Sequence, residues 1–149
     1  SKVPFIAYWK GKIKPNVSNE IISQIDLLNS ISTIVDIEFK SKDGVDLSNL
    51  ILNNKGKGRK ELIVEASTRT AYRKEDWVMI PPYNGREIHK EVNIELGNSK
   101  DFKLYNLAKD PSQRKNLSEE KPEKLKEMVS SFVKIRGKNF SNIKNLVLE

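Results

Sequence analysis

Residue types that support hydrolytic chemistry are scarce in this sequence. His89 is the only histidine, and there is no cysteine. A hydrolase needs a nucleophile, a positioned base and a group that stabilises developing negative charge, and one histidine supplies neither a catalytic triad nor a histidine metal cluster. Asp43, Asp46 and Asp110 are too dispersed for metal-ligand spacing. The chain is therefore predicted not to be a complete enzyme, and a lone histidine in a loop is more often a surface residue than a base.

The chemistry that the sequence favours is the binding of anions. The net charge is +7, from 27 Lys and Arg against 20 Asp and Glu, which favours polyanions such as nucleic acid, sulfated glycans or anionic membrane surfaces. Loop 55–60, KGKGRK, can contact phosphate or sulfate because Lys supplies point charges and Arg a bidentate fork. It lacks the Gly-Lys-Ser/Thr ending of a phosphate-binding P-loop. A solvated linker is the more common role of such a charge run.

Basic and aromatic side chains also accompany the predicted strands. Arg69 and Arg73 fall on the same face of an alternating strand, beside Lys74. They either line an anion groove or form the solvent face of a sheet. Trp77 and Tyr83 flank a Pro-Pro break and can stack on a sugar ring or a base, although core packing is the more common role for a tryptophan. The pattern leaves both interpretations open.

Residues 102–133 are predicted to form a strand, a turn and a helix. Leu104 and Tyr105 suit a pleated surface, and the Asp-Pro pair that follows suits a turn. Ser118 is the predicted N-cap, and Pro122 is tolerated in the first turn of the helix. The apolar residues of this helix recur at helical spacing and need a sheet to cover: Leu125, Met128, Val129, Phe132 and Val133.

A small antiparallel sheet is the predicted partner of that helix. Strand patterns occur in series at residues 61–65, 68–74 and 76–80 and indicate a meander. A long loop follows at 81–100, with a short strand at 92–96, and long loops in compact domains are usually functional or disordered. The strand at 102–107 returns to the meander. The predicted fold class is α+β, with a sheet of about four strands packed by a C-terminal helix.

The first 54 residues follow a different pattern. Residues 1–9 form a nearly continuous apolar run, which is typical of a strand buried on both faces. Asp26 is the predicted cap of an amphipathic helix with apolar residues on one face: Leu27, Leu28, Ile31, Ile34 and Val35. The rest of the chain does not supply the neighbours that such a strand needs. A missing N-terminal portion is therefore expected, or self-association through residues 1–9.

Five segments carry a family resemblance. In colinear order they are VPFIAYWKGKIKP at 3–15, SNEIISQIDLL at 18–28, DGVDL at 43–47, YRKEDWVMI at 72–80 and LYNLAKDP at 104–111, the last followed by Asn116-Leu117. They resemble the C-terminal part of the type I, formylglycine-dependent sulfatases, the arylsulfatase family. The departures include Lys10 in place of Pro and Glu75 in place of Gly. No single motif is decisive, but together they are fairly specific.

The resemblance implies a division of the chain and of the parent protein. Residues 1–54 would be the C-terminal end of the large α/β sulfatase domain, with its last strand and helix, and residues 55–149 the small C-terminal subdomain. The parent would hydrolyse sulfate esters of carbohydrate or aryl substrates. Its formylglycine and calcium sites lie upstream in the family, so no cofactor is expected in this chain. Members are commonly exported, which implies a periplasmic, cell-surface or secreted parent.

The resemblance also implies where substrate contacts would lie. In the family the small subdomain packs beside the active-site cleft and lends residues to it, so loop 81–100 is the expected place. Arg86, His89, Lys74 and Tyr83 are the candidate contacts to sulfate or sugar oxygens. The implied partners are the missing N-terminal catalytic portion and a sulfated small molecule or glycan. The competing interpretation is a non-catalytic basic module that binds nucleic acid or sulfated glycan through loop 55–60.

Overall fold

The computed structural model describes residues 3–66, 69–86, 88–95 and 99–137. The chain divides into two compact units, Ser1–Lys60 and Glu61–Glu149. One four-stranded antiparallel sheet and several helices make the fold α+β, as predicted. The assignment of residues 1–54 and 55–149 to two sulfatase domains stays a prediction. Within the described ranges, no helix is long and apolar enough to cross a membrane.

An antiparallel sheet lies at the centre of the second unit. The strands of this unit are β1 (Glu61–Ala66), β2 (Arg69–Lys74), β3 (Trp77–Ile80), β4 (Ile88–His89), β5 (Ile94–Glu95) and β6 (Lys103–Asn106). Four of them pair in the order β1-β2-β3-β6, while β4 and β5 form a separate hairpin. The predicted meander and its returning strand are confirmed. Thr68, predicted in a strand, lies outside the described residues.

The tight turn between β2 and β3 holds Glu75 in the left-handed region, with φ at 53°. For most residues this conformation costs about 1 kcal/mol or more because the Cβ atom is crowded, whereas glycine adopts it without that cost. Glu75→Gly is therefore expected to raise the free energy of unfolding by roughly 0.5–1 kcal/mol, measured by urea denaturation. Asp76→Gly, at a position outside the left-handed region, should lower it. A loss of stability in both variants would contradict the prediction.

Helix packing on one face of the sheet forms the core of the second unit. The α-helices among the described residues are α1 (Leu27–Ile34), α2 (Ser48–Asn53) and α3 (Pro122–Arg136). The core side chains from the sheet and from α3 are fully buried: Tyr72, Met79, Leu104, Met128 and Phe132. The apolar stripe predicted for the C-terminal helix thus meets the predicted sheet. Burial raises the pKa of the Tyr72 hydroxyl, and its hydrogen bond to Glu61 raises it further.

Trp77 belongs to the edge of this core. Its ring packs against the buried cluster, and the Lys124 ammonium lies 5.6 Å from the ring centroid. A cation over an aromatic face is attracted by the ring quadrupole. The structure therefore favours the packing role of Trp77 over stacking on a ligand.

The C-terminal helix begins later than predicted. Its N-cap is Lys121, and Pro122 is the first helical residue, so the predicted N-cap at Ser118 is wrong. Residues 118–120 form a turn instead, closed by a hydrogen bond from the Lys121 amide to the Leu117 carbonyl. Proline lacks an amide hydrogen and fits only the first turn of a helix, and it disfavours helical geometry in the residue before it. Pro122 therefore determines where α3 begins.

The outer edge of β6 is closed by residues that follow the next turn. The Leu104 amide donates to the Asn116 side-chain oxygen at 2.9 Å, and the Leu117 amide donates to the Leu104 carbonyl at 2.8 Å. These are the Asn and Leu that end the motif at residues 104–117. Their function here is structural, because they satisfy backbone groups that an edge strand would otherwise expose.

The first unit contains the two short helices and no strand among its described residues. The helix predicted after Asp26 is confirmed as α1, preceded by a 3-10 turn at Gln24–Asp26. Residues 3–9, by contrast, adopt irregular backbone where a strand was predicted at 1–9. A strand needs a paired neighbour for its backbone hydrogen bonds, and this part of the chain offers none. Ser1 and Lys2 lie outside the described residues.

Candidate functional site

Both ends of loop 81–100 meet at its base and form a cleft. The Tyr83 amide donates to the Ser99 carbonyl at 2.8 Å, which holds the two chain segments together. The cleft has a volume of about 400 Å³ and is lined by Tyr83, Asn84, Gly85, Ser99 and Lys100. Pro81 is buried at the end of β3 and restricts the backbone that leads into it. The lining combines an aromatic ring, an amide, a hydroxyl and an ammonium group.

Two of the predicted contacts lie in the same loop as Tyr83. Arg86 is exposed and follows Gly85 of the cleft lining directly. His89 lies in β4, where its backbone pairs with Ile94 of β5. The structure therefore places three of the four predicted residues in one loop. Their contacts with substrate stay predictions.

Lys74 lies apart from these residues. It ends β2, where it pairs with Trp77 at the start of β3, whereas the loop leaves from the other end of β3. Its ammonium group donates to Glu127 at 3.0 Å and to Ser131 at 3.2 Å, both on α3. The hydrogen bond from Lys74 to Glu127 raises the pKa of Lys74. Lys74 thus connects the sheet to the helix, and the structure does not bring it to the cleft.

Sequence reasoning did not single out Asn84, Ser99 and Lys100. They fall in or at the end of the loop that was singled out, but 14 to 17 positions separate the residues of one segment of the cleft from those of the other. A hydrogen bond from the Tyr83 amide to the Ser99 carbonyl joins them. A pairing between two irregular segments leaves no periodic signal in a sequence.

A buried ion pair organises the first unit. The Asp26 carboxylate is 1% exposed, and the Arg59 side chain is 13% exposed. The Arg59 guanidinium donates to both Asp26 oxygens, at 2.6 to 2.8 Å, and also to the Asp43 carbonyl. The same carboxylate accepts from the amides of Ser23 and Val45, each at 2.9 Å. Asp26 therefore joins three separate segments of the unit.

These contacts decide the ionisation of Asp26. Burial raises the pKa of the Asp26 carboxyl, but the hydrogen bonds from Arg59, Val45 and Ser23 together lower it below its usual value. The carboxylate occupies the N-cap position of α1 without bonding to that helix, and instead closes the turn before it through the Ser23 amide. The prediction that the Asp26 side chain caps α1 is therefore wrong. This side chain instead forms the ion pair with Arg59.

Loop 55–60 is less exposed than its composition predicts. Gly58 packs so closely that a methyl group there would lie 2.4 Å from the Ile21 carbonyl oxygen. The Gly58 amide donates to Glu20 at 2.8 Å, and Arg59 is engaged by Asp26. The sequence predicts either a solvated linker or an anion-binding loop, and both roles place the Arg59 side chain at the surface. Burial of the ion pair explains why it is not.

The first unit buries several polar side chains and exposes many apolar ones. On α1, the buried residues are Asn29, Ser30 and Ser32, which bond to residues 39–47. Leu28, Ile31 and Val35 are more than half exposed. The first unit holds 13 of the 18 large apolar side chains that are exposed among the described residues. Five more apolar residues of this unit are exposed, namely Val3, Phe5, Ile6, Ile37 and Phe39, and we call these eight residues the apolar surface of the first unit. Such a surface usually marks an interaction site.

The chain's own residues do not fit a sulfatase metal or nucleophile site. In the described ranges, no three His, Cys, Asp or Glu side chains lie close enough to hold a metal ion. The full sequence has no Cys, the residue from which formylglycine is made, and no Ser-x-Pro-x-Arg segment. We therefore derive no step through calcium or formylglycine in this chain.

Comparison with known proteins identifies the class. No protein-family model matches the chain. The chain is nevertheless a homologue of the sulfatases, and its structure matches the C-terminal part of sulfatase structures. The resemblance drawn from its motifs is thereby confirmed. The chain spans about a quarter of the length of the curated relatives it matches, at 26% and 25%.

Three relatives carry this result. The N-acetylgalactosamine-6-O-sulfatase of Bacteroides thetaiotaomicron is 30% identical over 132 residues, which cover 86% of this chain. Human arylsulfatase A is 27% identical over 129 residues, 76% of this chain. A solved structure from a study of glycosaminoglycan metabolism by Bacteroides thetaiotaomicron aligns with a TM-score of 0.80 and 25% identity, covering 87% of this chain and 28% of that one.

Proposed function

We propose that this chain is the C-terminal part of a sulfuric ester hydrolase that acts on sulfated carbohydrate or aryl substrates. The observation that carries the proposal is the 30% identity over 86% of the chain to a sulfatase of which it spans only 26%. The chain lacks the nucleophile, so it contributes packing and substrate contacts, while the catalytic centre belongs to the preceding portion. Calcium and formylglycine are proposed for that portion, and an exported location for the whole protein.

The apolar surface of the first unit supports the packing role. Its side chains are exposed on α1 and on the irregular segments before and after it. Burial of apolar area is the main favourable term in association, at about 25 cal/mol per Å². We propose that the catalytic portion covers this surface. Where that portion is absent, the same surface favours self-association, including through residues 3–9.

Loop 81–100 is the proposed source of substrate contacts. Tyr83 and Arg86 lie at its first turn, and His89 follows in β4. The four candidate contacts, Lys74, Tyr83, Arg86 and His89, remain the proposal for this role, although Lys74 is engaged by α3 in this structure.

An activity assay tests the proposal. A longer protein that contains this chain and the preceding portion is expected to hydrolyse a chromogenic aryl sulfate or a sulfated monosaccharide. The 149-residue chain alone should release no sulfate, because it lacks the nucleophile. Turnover by the chain alone, or a longer protein that is folded and inactive on both substrate types, would overturn the proposal.

The packing role has its own matched pair of variants. Ile31 is exposed in this chain, so Ile31→Lys should leave the circular dichroism of the chain unchanged. In the longer protein the same substitution would place a charge in an apolar interface. We expect a loss of soluble, active longer protein. Gln24→Lys makes a new charge at an exposed position of the neighbouring turn and should leave the longer protein active. Equal effects of the two variants would contradict the role of the apolar surface.

A further inference from the structure

The sequence contains one Asn-Gly pair, Asn84-Gly85, and it lies at the first turn of loop 81–100. Glycine has no Cβ atom and adopts backbone angles that other residues avoid. The backbone amide nitrogen that follows such an asparagine can therefore approach the carbonyl carbon of the asparagine side chain. Reactions between groups held this close are much faster than the same reactions between separate molecules. The pair thus favours an intramolecular reaction between side chain and backbone.

The structure leaves both reacting groups accessible. Asn84 is exposed in irregular backbone, and the chain bends at Gly85. Within the described part of the chain, no hydrogen bond engages the Asn84 side chain or the Gly85 amide. Both residues line the cleft of about 400 Å³ at the base of the loop, where water reaches them. The reaction therefore requires no contact to be broken first.

Asn29, which precedes Ser30, shows the opposite arrangement. Its side chain is 5% exposed, and its Nδ2 atom donates to the Gly44 carbonyl at 2.7 Å. Its Oδ1 atom accepts from the Ser41 amide, also at 2.7 Å. Both Asn29 and Ser30 lie in α1, where helical geometry holds the backbone amides in place. Asn29 is therefore an internal reference for an asparagine that the fold protects.

We infer that Asn84-Gly85 is a site of spontaneous deamidation. After the Gly85 amide loses its proton to solvent, its nitrogen attacks the Cγ atom of Asn84, and the Cγ–Nδ2 bond breaks. The side-chain nitrogen takes up a proton and leaves as ammonia, and a cyclic imide remains. Water then opens the imide at Cγ to give aspartate, or at the backbone carbonyl carbon to give isoaspartate. The net reaction consumes water, releases ammonia and involves no change of oxidation state.

The modification changes both the charge and the backbone of the loop. Each product carries a carboxylate where the cleft had a neutral amide, so the net charge of the chain falls by one unit. Isoaspartate also adds a methylene group to the main chain between Tyr83 and Arg86. These two residues are candidate substrate contacts, but the reaction requires only water and the chain itself. The inference is therefore independent of the proposed function.

Mass spectrometry of the aged chain tests the inference. The purified 149-residue chain is incubated at neutral pH and digested with trypsin, which releases residues 75–86 with Asn84 as their single asparagine. Asn84 should convert about tenfold or more faster than Asn29, giving separate aspartate and isoaspartate peptides. The rate should rise with pH, because the deprotonated amide is the nucleophile. Conversion no faster than that of Asn29 would overturn the inference.

Unfolding the chain separates the effect of the fold from that of the sequence. In urea, Asn29 loses its burial and its hydrogen bonds, so its conversion should accelerate several-fold. Asn84 is already exposed, and its rate should change by less than about threefold. A large acceleration of Asn84 in urea would show that the folded loop protects it, and would overturn the inference.

A substitution at Gly85 has a matched control in the other wall of the cleft. Gly85→Val restricts the backbone with a β-branched side chain and should slow conversion of Asn84 about tenfold or more. Lys100→Val introduces the same side chain at an exposed position of the cleft and should leave the rate within about twofold. Equal effects of the two variants would overturn the inference. The comparison of Asn84 with Asn29 needs no variant, so the test holds even if Gly85→Val is unstable.

Discussion

Arg59→Met is expected to destabilise the first unit by about 3–5 kcal/mol. The substitution preserves most of the side-chain volume and removes the positive charge, which leaves the Asp26 carboxylate buried without its ionic partner. Two backbone amides, from Ser23 and Val45, would still bond to it but do not neutralise it. Amide hydrogen exchange at Val45 and Leu47 measures the loss, because both amides donate to side chains inside this unit.

The pKa of Asp26 determines how the effect of Arg59→Met on stability should change with pH. In the native chain the pKa of Asp26 is lowered, so the stability that its ionised form contributes is present above its unfolded pKa, about 3.9, and is lost as the pH falls through the lower folded pKa. In Arg59→Met the amides of Ser23 and Val45 still lower the pKa of Asp26, but the guanidinium no longer offsets burial, so this pKa rises above its native value and protonation relieves the buried charge. The native chain and Arg59→Met should therefore differ less in free energy of unfolding as the pH falls below about 4.

Two controls separate the ion pair from general effects of charge. Lys57→Met removes a pair with Glu20 in which the lysine side chain is 87% exposed, and it should cost far less stability than Arg59→Met because solvent screens the pair. Asp26→Asn combined with Arg59→Met removes both charges and should recover part of the loss. The buried-pair account fails if Arg59→Met is no more damaging than Lys57→Met.

Phe132→Ala is expected to destabilise the second unit by about 3–5 kcal/mol. Phe132 is fully buried on α3, and its ring centroid lies 5.8 Å from that of Tyr72. Truncation removes the burial of a large aromatic side chain and leaves a cavity between helix and sheet, and it also ends the tilted ring contact. Urea denaturation followed by circular dichroism, with exchange of the Leu104 amide, reports the change in this unit.

Ile135→Ala is the matched control on the same helix. Ile135 is 53% exposed, so its truncation should cost well under half as much as the truncation of Phe132. Comparable losses in the two variants would show that α3 does not pack on the sheet through the face that holds Phe132.

The sequence predicted the second unit well because its signals are local and periodic. The strand patterns of β1 to β3 are confirmed by the observed meander, and the helical spacing of Met128 and Phe132 expresses a one-sided burial that the structure confirms. The start of α3 was misplaced because Ser118 is a good cap in isolation, while Pro122 sets the boundary in the chain. The preference of Ser118 for the N-cap position is weaker than the backbone restriction that Pro122 imposes.

The first unit and the cleft were harder to predict for a different reason. Arg59 was assigned to an exposed loop because 33 positions separate it from Asp26, and no spacing rule connects them. Amphipathicity located α1 but did not indicate that its polar side would face its own unit. The cleft includes a backbone hydrogen bond between Tyr83 and Ser99, two residues of irregular segments. In each case the deciding interaction is between distant, irregular segments.

The closed edge of β6 limits how this sheet can add further strands. Asn116 and Leu117 occupy the hydrogen-bonding groups of Leu104 on that side, whereas at the other edge of this four-stranded sheet β1 pairs with no further described strand. A sheet with two open edges can propagate from copy to copy without end. A sheet with one open edge stops at a pair, so strand addition through this sheet ends in dimers and does not build fibrils.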